Sequence, residues 1–177
     1  MSYAVNSVCQ YMPAPTDAHF HLVKRILRYV QGTFNYGISF TTGPWELSVY
    51  SDADWAMDIN TRRSNTGFVV FLGNNLVSWQ FKKQSSVSRS SIKAEYKALA
   101  NTSTNLAWVR QVRQVLQDLK IYLPQPPMIH CDNLSALTLS SNPVYHSRIK
   151  HLDIDFQFVQ EKVQKKDLIV QYVPIEE

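Results

Sequence analysis

Val49-Tyr50-Ser51-Asp52-Ala53-Asp54-Trp55-Ala56 is the stretch on which the fold turns. From Trp45 to Ser51 large residues alternate with small or polar ones, the pattern of a half-buried strand. Gly43-Pro44 opens the run and the Asp-rich segment closes it. The spacing therefore predicts a strand that stops in the Asp52 carboxylate. An acid at the mouth of a strand suits a hard cation or a polarised water. One such acid decides little, and its weight depends on Glu95 and Asp132, which the surrounding pattern places on other elements.

Downstream, Thr66 to Leu72 is almost continuously apolar, as a strand covered on both faces would be. Gly73-Asn74-Asn75 reads as a turn and Leu76 to Phe81 as the hairpin partner. Lys82-Lys83 and the Ser-rich loop 85–91 lead into one long helix expected from about Ser91 to Leu119, with Ile92, Tyr96, Leu99, Leu106 and Val112 in its stripe. Leu123-Pro124-Gln125-Pro126-Pro127 breaks it. A short strand, Met128 to Cys131, then runs into Asp132-Asn133 and a small helix through Leu134, Leu137 and Leu139. A helix over about 148–163 and a strand over 168–173 complete the pattern. The order β-β-β-α-β-α-α-β predicts an α/β fold, a mixed sheet with helices against it.

Upstream, Ala4, Val5, Val8 and Cys9 fall at helical spacing before Pro13 and Pro15. A second helix has Thr16 or Asp17 as cap, Phe20, Val23, Ile26, Leu27 and Val30 as its stripe, and Gly32 as its close. Its polar side, with His21, Lys24, Arg25 and Arg28, is either a phosphate-facing surface or a solvated face. Two such helices cannot make a core alone.

The whole chain of 177 residues, 45% apolar and 12% aromatic, can bury a core and is not a disordered segment. No apolar run reaches the ~20 residues of a membrane span, and the first residues lack the blocks of a secretory signal. Two cysteines exclude a disulfide framework and fit a reducing, intracellular compartment. A net charge of +4 permits a nucleic-acid partner without requiring one.

Glu95 lies three residues after Ile92 and four before Leu99, at the border of the apolar stripe. An acid turned to the sheet must be neutral, paired or bound to a cation; otherwise it is a helix-start acid favoured by the dipole. A capping box from Ser91 fails, because its partner position holds Ala94. Asp132 follows a strand and precedes a helix, where a short acid also serves as an N-cap. If their strands are neighbours, the three acids converge. Such a cluster suits two Mg²⁺ ions about 4 Å apart acting on a phosphodiester, and Mg²⁺ needs few carboxylates because it keeps several waters. Asp52, Asp54 and Asp58 fail as a calcium loop, since Met57 and Arg63 stand where Gly and Glu are needed. His130, Cys131, His146 and His151 match no familiar zinc spacing, and no nucleophile elbow marks a Ser-His-Asp hydrolase.

At these same residues the sequence resembles the ribonuclease H region of copia-type retrotransposon polyproteins. The matching stretches are Tyr50 to Ala56, Thr61-Arg62-Arg63-Ser64, Ser88-Arg89-Ser90-Ser91 with Ala94-Glu95-Tyr96, Cys131-Asp132-Asn133 and Lys150-His151-Leu152-Asp153-Ile154. Ser2 to Asn6 and Lys24 to Tyr29 resemble the end of the preceding reverse transcriptase. The resemblance implies a helical segment 1–40 from that enzyme, with the rest of a reverse transcriptase as a partner. It also implies a ribonuclease H-like domain over 44–177, with a mixed five-stranded sheet flanked by helices. The implied activity is cleavage of the RNA strand of an RNA–DNA hybrid. Asp52, Glu95 and Asp132 are then the ligands of two Mg²⁺ ions, with Mn²⁺ able to substitute. Around them, Arg62, Arg63, Lys82, Lys83 and Arg89 would follow phosphates, and Ser88, Ser90 or Asn133 would reach 2′-hydroxyls. Two departures stand out. Met57 replaces a Gly common in the family. The family's fourth metal-binding Asp, just after a segment like Val173-Pro174-Ile175-Glu176-Glu177, is absent, and Asp153 and Asp155 belong to an earlier helix. The expectation is a truncated nuclease, either active or weakened by the missing acid; the alternative is an inactive remnant that binds nucleic acid or protein.

Overall fold

In the computed structural model, which describes residues 1–141 and 153–174, the strand expected to end at Asp52 runs on. Strand β1 spans Leu47–Asp54. It continues because β2, Asn65–Leu72, stays paired to it as far as Asp54↔Asn65. Asp52 therefore sits inside a paired strand, opposite Gly67. Alternation buries Leu47, Val49, Ser51 and Ala53 on one face and exposes Tyr50 and Asp52 on the other.

The hairpin partner of β2 is β3, Asn75–Lys83. Gly73 makes the turn with φ +57°, and a Cβ there would lie 2.5 Å from the Pro44 carbonyl oxygen. Only glycine fits that approach without a shift of the backbone. The apolar β2 is not covered on both faces as expected. Phe68 and Val70 are buried, whereas Val69 and Phe71 are half-buried. Phe71 meets the Tyr50 ring edge-on at 6.1 Å, so side chains of the sheet itself provide part of its cover.

Beyond β3 the expected single helix is two. Helix α3 spans Ser91–Asn105 and α4 spans Ala107–Asp118, with a break at Leu106. The cause lies in the last turn of α3. Ser103 Oγ donates to Leu99 O at 2.8 Å, Thr104 Oγ1 to Ala100 O at 2.9 Å and Asn105 Nδ2 to Asn101 O at 2.8 Å. Three consecutive side chains bonding back to carbonyls compete with the helical ladder and bend it. The apolar stripe continues across the break, so periodicity alone misses it.

Strand β4, Met128–Cys131, lies parallel to β1, and β5, Ile169–Tyr172, lies parallel to β4. The sheet order is β3-β2-β1-β4-β5. Helix α5 is Leu134–Ser141 and α6 is Asp153–Gln164. Helix α3 packs on β1 and β2, and α6 packs on α3. Val49, Val70, Tyr96, Leu99, Ile129 and Val159 are fully buried between them. Each such side chain contributes about 1.5–3 kcal/mol relative to exposure. His146, His151, residues 142–152 generally, and Ile175-Glu176-Glu177 lie outside the described residues.

The chain divides into two units, Met1–Phe40 and Thr41–Glu177. The first holds helices α1, Ser2–Cys9, and α2, Asp17–Gly32. Thr16 caps α2, its amide donating to His19 Nδ1 at 3.1 Å, and that imidazole stacks on Tyr11 at 4.0 Å. Neither helix contains a buried residue. Phe34 and Tyr36 are each 81% exposed. Among the described residues no helix is long and apolar enough to cross a membrane.

Candidate metal centre

Three elements bring the acids to one end of the sheet. In the parallel pair β1–β4, Tyr50 is in register with His130, and their rings stack at 4.6 Å. Asp52 and Asp132 each follow that pair by two residues, so both lie toward the same end of the sheet, Asp52 within β1 and Asp132 just beyond β4. Helix α3 supplies Glu95. Its N-terminus is fixed by Ser90, whose Oγ accepts the Lys93 amide at 3.3 Å, and by Gln84, whose Nε2 donates to Ala94 O at 3.0 Å and to Thr66 Oγ1 at 3.1 Å. Beneath the acids, Ser51 and Thr102 hydroxyls share a buried bond of 2.9 Å between β1 and α3. The helix register that sets Glu95 is thus tied to the strand that carries Asp52.

The closest donor set is not quite the one expected. Glu95, Cys131 and Asp132 each offer one ligand atom, and the three atoms lie within 4.8 Å of one another. Asp52 stands outside this set, on the exposed face of β1, yet near enough for its charge to act on the others. Glu95 Oε2 and Asp132 Oδ1 are buried without a hydrogen-bond partner. Asp54, half-buried two residues beyond Asp52, adds a fourth negative charge to the neighbourhood.

The electrostatics follow from that crowding. Burial first, and then the charges of Asp52 and Asp132, push the Glu95 carboxyl up to about 8; an amide bond from Ala53 offsets part of this. Asp52 meets solvent on one side, but partial burial and then Asp132 raise it from its ordinary value. Burial pushes the Cys131 thiol up to about 11, and the neighbouring acids act in the same direction. Like charges gathered in a poorly solvated place disfavour joint ionisation unless a cation compensates them. Oxygen donors with unused lone pairs suit a hard divalent ion. The residues present therefore fit Mg²⁺ or Mn²⁺, with Cys131 as the one donor foreign to that preference.

The residues expected to meet nucleic acid divide into two groups. Arg62, Arg63, Lys82 and Arg89 are exposed, with Arg62 at φ +54° in the turn after β1. Lys83 is instead paired with Asp58. That aspartate is buried, also accepts the Asn60 and Thr61 amides at 2.9 Å, and is held well below the usual carboxylate range, first by Lys83. Lys82 and Lys83 border a polar cleft of about 340 Å³ with Ser86, Lys97, Asn101 and Asp155. Asp155 lies on α6 and is not part of the donor set.

Ser88, expected to reach a 2′-hydroxyl, is 4% exposed, and its hydroxyl donates to Gln84 Oε1 at 3.2 Å, which braces the loop. Its carbonyl also accepts Trp55 Nε1 at 3.0 Å, drawing that loop to the end of β1. Asn133 Oδ1 caps α5 by accepting the Ala136 amide at 3.0 Å. The cap considered for Asp132 is thus taken by its neighbour. Met57 accepts the Asn65 side-chain amide through Sδ at 3.1 Å.

No family model matches the chain. Over 174 residues, 98% of its length, it is 47% identical to the retrovirus-related Pol polyprotein from transposon RE2 of Arabidopsis thaliana. It is 35% identical over 170 residues to the retrovirus-related Pol polyprotein from transposon TNT 1-94 of Nicotiana tabacum. The chain spans 12% of the length of each of these curated relatives. Among solved structures it is similar to LC11-RNase H1, isolated from compost, with a TM-score of 0.51 at 14% identity, covering 74% of this chain and 86% of that one.

Proposed function

Since this chain belongs to the copia-type retrovirus-related Pol polyproteins and has a ribonuclease H-like fold, we propose that residues 41–177 hydrolyse the RNA strand of RNA–DNA hybrids with the help of divalent metal. The observation that carries the reading is the pair of buried, unpartnered oxygens on Glu95 and Asp132 beside Asp52. Asp52, Glu95 and Asp132 would hold the ions. Bound divalent metal supplies an activated water and offsets the charge that develops on a phosphodiester. The chain's own residues do the rest. Glu95 and Asp132 keep lone pairs free of competing hydrogen bonds. The Ser51–Thr102 bond and the Gln84 bridge hold α3 against β1 so that the acids cannot drift apart. Arg62, Arg63, Lys82 and Arg89 remain free to follow phosphates. Residues 1–40 we read as the end of an adjoining reverse transcriptase, whose remaining surface would cover their exposed aromatic residues.

Cleavage of a hybrid labelled on its RNA strand tests this in Mg²⁺ and in Mn²⁺. Asp52→Asn and Glu95→Gln are expected to lose about 10²-fold or more in turnover, the scale of removing a charge-stabilising group. Undiminished cutting by Asp52→Asn would remove that residue from the mechanism. Hybrid binding with no turnover at any metal concentration would replace the nuclease with a binding module of the same fold.

A further inference from the structure

Cys131 is the member of the cluster that hydrolysis does not use. It is 2% exposed, and its nearest polar partner is the Asn133 carbonyl, a weak contact at 4.0 Å. Its Sγ shares a 4.8 Å neighbourhood with one oxygen each of Glu95 and Asp132. Glu95 is only 7% exposed, and its Oε2 has no partner. A buried carboxylate oxygen without a protein hydrogen-bond partner, gathered with a thiol and a second carboxylate, is a donor set that can close on a cation.

Zinc-class ions bind sulfur at about 2.3 Å and carboxylate oxygen at about 2.0–2.2 Å, which places such donors roughly 3.6 Å apart in a tetrahedron. Donors no more than 4.8 Å apart must therefore close by about 1.2 Å at most, within the reach of side-chain rotation. Mg²⁺ makes no use of the sulfur, whereas softer ions prefer it.

We propose that Glu95, Cys131 and Asp132 form a mixed oxygen–sulfur site for a thiophilic divalent cation of the Zn²⁺ or Cd²⁺ class, and that its occupation excludes the hard cation from the same carboxylates. On binding, the metal–sulfur bond forms as the S–H bond breaks, the proton passes to buffer, and nothing is oxidised or reduced. Only the exclusion of the hard cation rests on the reading of the preceding section; the site itself rests on the three donors.

The probe is Cd²⁺ alone, titrated into the full chain and followed by the ultraviolet charge-transfer absorption of a cadmium–thiolate bond. Wild type and Cys9→Ser are expected to show one saturable equivalent, because Cys9 is exposed and far simpler to leave out. Cys131→Ser is expected to show none. Glu95→Gln should bind Cd²⁺ more weakly by at least the 10–100-fold typical of disturbing a metal's supporting shell. Absorption that persists in Cys131→Ser, or that vanishes in Cys9→Ser, would overturn the site. Cadmium NMR of the Cys9→Ser chain reads the sulfur bond without touching Cys131, and a signal in the all-oxygen range would also overturn it. Hybrid cleavage in Mg²⁺ without cadmium–sulfur absorption removes this site and leaves hydrolysis standing. Absorption without cleavage keeps the site and removes the nuclease.

Discussion

Glu95 shows how much a single carboxyl can reveal. Its ordinary value of 4.5 is raised to about 8 in the fold, by burial first and by Asp52 and Asp132 next. Between those values the folded chain holds a proton that the unfolded chain has released, so stability falls as pH rises through this window and the loss is complete above it. Metal-free wild type should therefore melt at progressively lower temperature across the interval, while Glu95→Gln should lose most of that slope. Equal slopes in thermal melts of the two proteins would refute the assignment. Added Mg²⁺ should stabilise wild type more at the alkaline end, where no proton competes for the carboxylate. The border position of Glu95 was visible in the sequence because helical spacing set it between Ile92 and Leu99. The nearness of Cys131 was not, since it depends on the β1–β4 register and on where α3 sits. The burial of Ser88 was hidden for a similar reason: its loop looks free until Gln84 and Trp55 take hold of it.

At the level of elements, helix α3 matters most, and its apolar face anchors it. Leu99 is fully buried against the sheet, so Leu99→Ala should cost about 2–5 kcal/mol in denaturant melts. A loss below 1 kcal/mol would mean that α3 is held chiefly by its polar bridges. The β2–β3 turn makes a second demand. Gly73→Ala places a methyl 2.5 Å from the Pro44 carbonyl at a left-handed φ, and should destabilise the protein by about 1–3 kcal/mol. Unchanged stability would show that the turn relaxes freely. The strands were readable because alternation and turn residues agree at Gly43-Pro44, Gly73-Asn74 and the Pro-rich 123–127. The break at Leu106 was not, because Ser103, Thr104 and Asn105 act through hydrogen bonds that an apolar stripe does not register.

On the scale of the whole molecule, the two units differ in kind. Thr41–Glu177 has a buried core, whereas helices α1 and α2 of Met1–Phe40 bury nothing and leave an apolar groove of about 530 Å³ lined by Tyr3, Val8, Leu22, Ile26 and Tyr29. Apolar surface of that extent invites association. Light scattering should report a higher mass for the full chain than for residues 41–177 at equal concentration, and identical monomeric masses would dispose of the idea. The sequence pattern changes from helical to alternating after Gly43, close to the boundary between the two units.

The parallel pairing of β1 with β4 has one more implication. β1, β2 and β3 are neighbours along the chain and can zip together locally, whereas β4 must arrive across the whole α3–α4 excursion. Loop closure over such a separation is slow, so the hairpins should form early in folding and β4 late. Asp132 travels with β4. The acid cluster is therefore completed only at the end of folding, and under the proposed function a nascent or misfolded copy would lack the site for the ions.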